Sequence, residues 1–185
     1  MNSRKEKKNN TGLRSAKECA FLAVFVALVI TAQICFAAIP GVELVTVLFL
    51  SYSFAMGAKR GMLAATAFSL LRQIVFGFFP IVLILYLVYF NAFALLFGWL
   101  GKKFQSPQTA FPYIVLLVCL CTACFSLLDN ILTPLWYGYS RQAFRAHFFA
   151  SLPIMFPQVV CAACSTFFLF LPLQKVFEEA RRTLK

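Results

Sequence analysis

The side chains that could bind a polar solute are few in this chain, because only 12% of its 185 residues are charged. The candidates within apolar surroundings are Glu43, Thr46, Arg72, Gln73, Asn91, Asp129, Asn130 and Gln158. Glu43 and Thr46 share a helical face, and Arg72 has the chemistry to hold a carboxylate or a phosphate. Ionisable side chains at membrane depth are usually paired or face a cavity. Either Arg72 pairs with Glu43 or Asp129 only to neutralise the interior, or these residues line a shared pocket.

A second group of candidates lies between the last two apolar segments, in a predicted loop. It consists of Trp136, Tyr137, Tyr139 and Arg141, beside Arg145 and His147. Aromatic rings can sandwich a planar ligand, and Arg141 is an alternative to Arg72 as the anion-binding group. The same aromatic residues are also typical of the belt at a membrane interface. Both interpretations stay open for this group.

The sequence contains no set of residues that predicts catalysis or metal binding. Two of its cysteine pairs, Cys121 with Cys124 and Cys161 with Cys164, have CxxC spacing. They lie inside apolar segments without neighbouring histidines or carboxylates, so we interpret them as packing residues. No Walker A loop, GxSxG or HExxH motif occurs, and Asp129 with His147 is the only conceivable catalytic pair. We therefore expect a protein that is not an enzyme and that has no metal or other cofactor.

The composition predicts that these residues are positioned by membrane helices. Hydrophobic residues make up 62% of the chain, whereas soluble domains contain roughly 45–50%. Apolar segments fall at residues 18–39, 44–57, 62–79, 81–100, 111–135 and 148–171. Because a crossing needs about 20 residues, the second segment is short and could be re-entrant or tilted. We predict an all-α integral membrane protein with six transmembrane helices.

The distribution of charge predicts the orientation of these helices. Lys and Arg number 17 against 6 Asp and Glu, and most of them lie at residues 4–17, 59–60, 102–103 and 175–185. These clusters fall at every second junction, which places both termini in the cytoplasm by the positive-inside rule. The predicted divisions are a basic tail at 1–16, a membrane domain at 17–173 and a second basic tail at 174–185. Segment 18–39 as a cleaved signal peptide is a weaker alternative, and we expect no nucleic-acid partner.

The orientation also gives a depth to each polar candidate. All of them except Asn91, which lies near the middle of its segment, are external or in the outer half of the membrane. A transmembrane proton or ion pathway needs polar groups at every depth. The sequence therefore predicts a pocket that opens outward and is closed toward the cytoplasm.

Four alanines of the first segment indicate a helix-packing face. Ala16, Ala20, Ala23 and Ala27 form small-xxx-small pairs, which permit close approach of another helix. The partner helix belongs either to the same chain or to another protein.

Several segments together resemble the substrate-binding S components of energy-coupling factor (ECF) vitamin transporters. They are the basic tail that leads into the alanine-rich helix, the segment 39–46 (IPGVELVT), the turn 57–61 (GAKRG) and the ending at 152–173. The resemblance covers essentially residues 17–185. The full signatures of the biotin, thiamin and riboflavin members are missing, so the substrate stays open. The PGVELVT segment is loosely similar to members linked to cobalamin or its precursors.

The resemblance implies a six-helix protein of the bacterial plasma membrane, with its N-terminus inside. Such a protein binds a water-soluble vitamin or related micronutrient at its outer face. It docks on a transmembrane coupling protein that carries two cytosolic ATPases, and it delivers the ligand by reorienting among the membrane lipids. The AxxxA coupling motif of the family would correspond to Ala23 and Ala27, or to Ala16 and Ala20 in the alternative register. The competing hypothesis is a small envelope scaffold of the cell-elongation type, which has no small-molecule ligand.

Overall fold

The computed structural model describes residues 16–39, 41–104 and 106–184, and within these ranges every regular element is a helix. The six helices are α1 (Ala16–Phe36), α2 (Val45–Met56), α3 (Ala58–Phe76), α4 (Pro80–Lys103), α5 (Pro107–Trp136) and α6 (Arg141–Thr183). The predicted all-α fold is therefore confirmed and has six helices, whereas the crossing of a membrane by all six stays a prediction. Four helices, α1, α4, α5 and α6, are long and apolar enough to cross a membrane. Helix α2 is apolar but has only 12 residues, and α3 contains Lys59, Arg60 and Arg72.

Four helix boundaries lie at glycine or proline. Pro80 and Pro107 begin α4 and α5. At this position the helix does not use the backbone N–H that proline lacks. Gly57 and Gly77 have φ values of 90° and 95° and terminate α2 and α3.

The first part of α6 differs from the prediction of a loop. Arg141, Arg145 and His147 lie in the helix, because Ser140 caps it by accepting a hydrogen bond from the backbone N–H of Ala143 at 3.3 Å. At its other end α6 continues to Thr183, so the segment predicted as a C-terminal tail is largely helical. The predicted N-terminal tail, apart from Ala16, lies outside the described residues.

Helix α2 is the centre of the bundle. All 12 of its residues are buried, and it packs against α1, α3, α4 and α6. The Phe49 ring lies 5.6 Å from the ring of Phe25, 5.2 Å from that of Phe68 and 5.0 Å from that of Phe90, between centroids. Aromatic packing from three neighbouring helices therefore fills the space around the middle of α2.

Close contacts with glycine set the position of α4 along α2. A Cβ atom at Gly98 would lie 2.3 Å from the backbone nitrogen of Ala58, and one at Gly101 would lie 2.1 Å from the carbonyl oxygen of Phe54. Only glycine permits backbones to approach this closely. These contacts fix which residues of α4 lie level with the end of α2.

Hydrogen bonds show that α6 runs parallel to α2 and extends well past its start. The Gln174 side chain donates to the carbonyl oxygen of Ser51 at 2.9 Å, and the Arg181 guanidinium donates to that of Ala55 at 3.0 Å. Nearer the start of α2, Cys161 contacts the backbone of Glu43. Residues 141–157 of α6 thus continue for about 25 Å beyond this level, at 1.5 Å per residue.

We call the end of the bundle at residues 41–44 the hollow end, and the opposite end the basic end. The basic end contains Lys59, Lys102, Lys103 and Arg182, at the termini of α3, α4 and α6. There Arg60 of α3 forms an ion pair with Glu18 of α1.

Candidate ligand-binding site

A hollow of about 370 Å³ lies at the hollow end, between α1, α3, α6 and the loop that precedes α2. Its lining residues are Gln33, Phe36, Ala37, Ile39, Gly41, Val42, Glu43, Val45, Arg72, Phe76 and Gln158. Its volume lies at the small end of the range for ligand pockets, roughly 300–1,000 Å³. The hollow therefore has room for a small organic molecule.

A smaller recess of about 40 Å³ adjoins the hollow. The two cavities share Gln33, Glu43, Val45 and Gln158, and the recess is further lined by Thr46, Tyr86, Tyr89, Phe90, Thr122 and Phe125. A volume of this size accommodates only one or a few water-sized groups, at about 10–15 Å³ each. The recess is suited to a single protruding polar group of a ligand.

The loop that carries Glu43 is held against α6. Gly41 has φ +80°, and a Cβ atom there would lie 2.9 Å from the Cβ atom of Pro157 and 3.2 Å from the backbone nitrogen of Gln158. The Glu43 backbone N–H contacts the Cys161 sulfur at 3.4 Å, and the Cys161 thiol contacts the Glu43 carbonyl oxygen at 3.5 Å. These contacts fix the carboxylate of Glu43 over the first turn of α2.

Glu43 is desolvated but remains able to accept further hydrogen bonds. The Thr46 hydroxyl donates to its Oε1 atom at 2.7 Å. Burial raises the pKa of the Glu43 carboxyl, and hydrogen bonds from Thr46 and Gln158 oppose that increase. A carboxylate has about four lone-pair directions, so a ligand donor can still bind to it.

Arg72 is held by aromatic rings rather than by a carboxylate. Its guanidinium carbon lies 4.2 Å from the ring centroid of Tyr86 and 5.0 Å from that of Phe76. Among the described residues no carboxylate oxygen lies within 4 Å of its nitrogen atoms. The prediction that Arg72 pairs with Glu43 or Asp129 is therefore not realised as a direct ion pair.

Three buried polar atoms around the two cavities have no hydrogen-bond partner in the described structure. They are the Nε atom of Arg72, the Oε1 atom of Gln33 and the hydroxyl oxygen of Thr122. The other end of the Gln33 amide donates to the Tyr86 hydroxyl at 3.5 Å. Buried polar groups in native proteins are almost always hydrogen-bonded. The site is therefore suited to a ligand that accepts from Arg72 and donates to Gln33.

The hollow is closed toward the basic end by apolar side chains. From Thr46 toward the basic end, helix α2 contains no charged residue. Its Phe49 side chain is surrounded by the three phenylalanines described above. The hollow thus has polar lining residues on one side and aromatic packing on the side that faces the basic end.

Four of the predicted site residues come together at these cavities: Glu43, Thr46, Arg72 and Gln158. Gln158 also accepts a hydrogen bond from the Ser126 hydroxyl at 2.8 Å, which connects the site to α5. Arg72 and Gln158 thus share a hollow.

Two other predicted residues have structural partners outside the cavities. The Gln73 side chain accepts a hydrogen bond from the backbone N–H of Phe79 at 3.0 Å, within the turn between α3 and α4. Asn91 accepts from the Thr66 hydroxyl at 3.2 Å and donates to the Leu87 carbonyl oxygen at 2.8 Å. Gln73 therefore stabilises the α3–α4 turn, and Asn91 connects α3 to α4.

The remaining predicted residues lie farther out along α5 and α6. They are Asp129, Asn130, Trp136, Tyr137, Tyr139 and Arg141, and none of them lines either cavity. Asp129 accepts a hydrogen bond from the Thr133 hydroxyl at 2.8 Å, and the His147 ring contacts that of Tyr139. The α5–α6 hairpin projects past Gln158, and this extension places the group beyond the hollow.

Sequence reasoning missed four polar residues of the site: Gln33, Tyr86, Tyr89 and Thr122. Gln33 is the one amide in the apolar helix α1, and this isolated polar residue was a usable signal. The two tyrosines had none, because tyrosine in a membrane helix is common at many positions.

The four alanines predicted as a packing face, Ala16, Ala20, Ala23 and Ala27, are all exposed on α1. Ala23 and Ala27 line an apolar groove of about 570 Å³ between α1 and α3. Its other walls include Val26, Leu71 and Ile74. This face of the bundle therefore has no covering helix within the described part of the chain.

All seven cysteines are free thiols, and no group of three or more His, Cys, Asp or Glu side chains is placed to bind a metal within residues 16–39, 41–104 and 106–184. Comparisons of the chain with protein-family models, curated proteins and solved structures find no match. The functional conclusion consequently depends on the geometry of the site and on the sequence segments described above.

Proposed function

We propose that this chain is the substrate-capture subunit of an ECF-type importer. It binds a water-soluble vitamin or related micronutrient at the outer face of the bacterial plasma membrane and has no catalytic role. The observation that carries this proposal is the hollow lined by Glu43, Arg72, Gln33 and Gln158 and closed toward the basic end by aromatic packing. A channel or a proton pathway needs polar groups at all depths, and α2 has no charged residue.

The proposed topology has six crossings, with both termini in the cytoplasm. Helix α2 is about 18 Å long, at 1.5 Å per residue, and so is shorter than the roughly 30 Å hydrocarbon core. It is enclosed by other helices, and the loop before it lines the hollow. Non-helical backbone at membrane depth is tolerated where it is buried in protein or lines a wet cavity. The short second helix thus makes room for the site.

The proposed partners are a transmembrane coupling protein and two cytosolic ATPases. The exposed alanine face of α1 and the groove beside Ala23 and Ala27 offer a surface on which a helix of the coupling protein can pack. Because the surface lies on α1 and α3, a helix bound there would contact the two helices that contribute Gln33 and Arg72 to the hollow.

Two measurements on the full chain test this proposal. The first is affinity purification from its native membrane, in which we expect the coupling protein and ATPases to co-purify. The double substitution Ala23→Leu and Ala27→Leu should abolish that association, whereas Ala92→Leu, at an exposed position of α4, should not. Co-purification of envelope-synthesis proteins without ATPases would instead support the scaffold hypothesis.

The second measurement is mass spectrometry of small molecules released from the purified protein. We expect a vitamin-like compound at close to one molecule per chain. Failure to find one, together with no thermal stabilisation by a broad vitamin panel, would contradict the proposed function.

A further inference from the structure

The hollow contains one positive and one negative side chain that do not pair with each other. Arg72 and Glu43 both line it, yet within the described structure their charged atoms are more than 4 Å apart. We propose that the hollow binds a dipolar ligand, with an anionic oxygen group at Arg72 and a protonated amine at Glu43. This inference rests on the proposed function, because it names the chemical class of the captured solute.

Arg72 is prepared to bind an anionic oxygen group. The rings of Tyr86 and Phe76 pack against the guanidinium group, whose N–H donors suit a planar acceptor. The Nε atom is buried and has no protein acceptor. A carboxylate satisfies such an edge with two parallel hydrogen bonds.

Glu43 supplies the complementary acceptor across the same hollow. Thr46 donates to one of its oxygen atoms, and the loop contacts with Cys161 hold its backbone in place. Gln33, whose Oε1 atom is buried without a donor, lines both cavities with Glu43. Together these oxygen atoms form a site for a group with several N–H donors.

A ligand with both charges fits this pair better than a ligand with one. A desolvated charge is costly unless an opposite charge or hydrogen bonds compensate it. A purely anionic ligand leaves Glu43 uncompensated, and a purely cationic ligand leaves Arg72 uncompensated. Because the two charges do not touch, the ligand has to hold its own charges apart. The apolar walls formed by Phe36, Phe76 and Val42 favour a ring as the spacer.

Three molecules of one shape test the charge requirement. They are 4-(aminomethyl)benzoate, which is a zwitterion, 4-methylbenzoate, which is an anion, and 4-methylbenzylamine, which is a cation. Binding to the purified full chain in detergent is measured by isothermal titration calorimetry at millimolar ligand. We expect the zwitterion to bind at least about tenfold more tightly than either singly charged analogue, as expected for one charged hydrogen bond.

Substitutions at the two charged residues assign each end of the probe. Arg72→Gln is expected to remove the contribution of the carboxylate, so that the zwitterion binds no better than the amine. Glu43→Gln is expected to remove the contribution of the amine, so that the zwitterion binds no better than the benzoate. Lys175→Gln and Glu178→Gln, which change exposed charges of α6, serve as matched controls and should leave all three affinities unchanged.

Two results would overturn the inference. One is equal binding of the zwitterion and a singly charged analogue to the unsubstituted protein, and the other is no binding of any of the three molecules. A native ligand without an anionic group, found by mass spectrometry, would also overturn it while leaving the proposed function intact. Conversely, charge-dependent binding without co-purifying ATPases would support the dipolar site and contradict the importer assignment.

Discussion

Replacement of Gly41 by alanine should disturb the site through its backbone rather than through a ligand contact. The added Cβ atom would lie 2.9 Å from the Cβ atom of Pro157, whereas carbon atoms in contact prefer about 3.5–4.0 Å. The loop must therefore retreat from α6 by roughly 0.6–1 Å, an overpacking that costs about 1–3 kcal/mol. The φ of +80° adds about 1–2 kcal/mol for an alanine.

Gly138 provides a matched control for the conformational part of this cost. It also has positive φ, +64°, but no atom lies within 4 Å of a Cβ atom built there. Gly138→Ala should therefore cost only the conformational part, about 1–2 kcal/mol. The difference between the two variants isolates the contact with α6, at about 1–3 kcal/mol.

Thermal unfolding of the purified protein, followed with a thiol-reactive dye, measures this difference. At this chain length 1 kcal/mol corresponds to about 2–4 °C. We expect Gly41→Ala to lower the melting temperature by about 2–12 °C more than Gly138→Ala does. Equal losses in the two variants would refute the argument that the 41–44 loop is seated on α6 at Gly41.

Two further predictions concern particular side chains. Asn91→Leu should lower stability by about 1 kcal/mol through loss of the hydrogen bond with Thr66 and leave ligand affinity unchanged, because Asn91 lies outside both cavities. A weaker affinity with an unchanged melting temperature would place Asn91 in the site after all. The affinity for the amine probe should fall as pH is lowered through the pKa of Glu43, which burial raises, by up to about tenfold per pH unit. Glu43→Gln should remove this dependence, and its persistence in that variant would contradict the assignment of the effect to Glu43.

The α5–α6 hairpin accounts for the largest difference between the expected and the observed site. The sequence grouped Asp129, Trp136, Tyr137 and Arg141 with the pocket, because all of them are near the outer ends of apolar segments. In the structure the capped start of α6 and the full length of α5 carry them past the hollow. Hydropathy indicates that a segment is apolar, but it does not tell how far a helix continues beyond its neighbours.

Several features were determined by the sequence alone, because they depend on local chemistry or on composition. The apolar content predicts the helical bundle, and glycine and proline mark four of the helix ends. The three-residue spacing of Glu43 and Thr46 predicts a shared face, and their side chains are joined at 2.7 Å. Each of these depends only on residues close together in the chain or on average composition.

The tertiary structure alone decided which polar residues meet. Arg72 and Gln73 are neighbours in sequence, yet Arg72 lines the hollow and Gln73 turns to the Phe79 backbone, because successive helical residues point about 100° apart. Which of these two directions faces the hollow depends on how α3 packs. Tyr86 of α4 lies beside Arg72 of α3 because the close contact of Gly98 with Ala58 sets the position of α4 along α3. These are contacts between distant segments, and in one sequence no local pattern encodes the relative heights and rotations of packed helices.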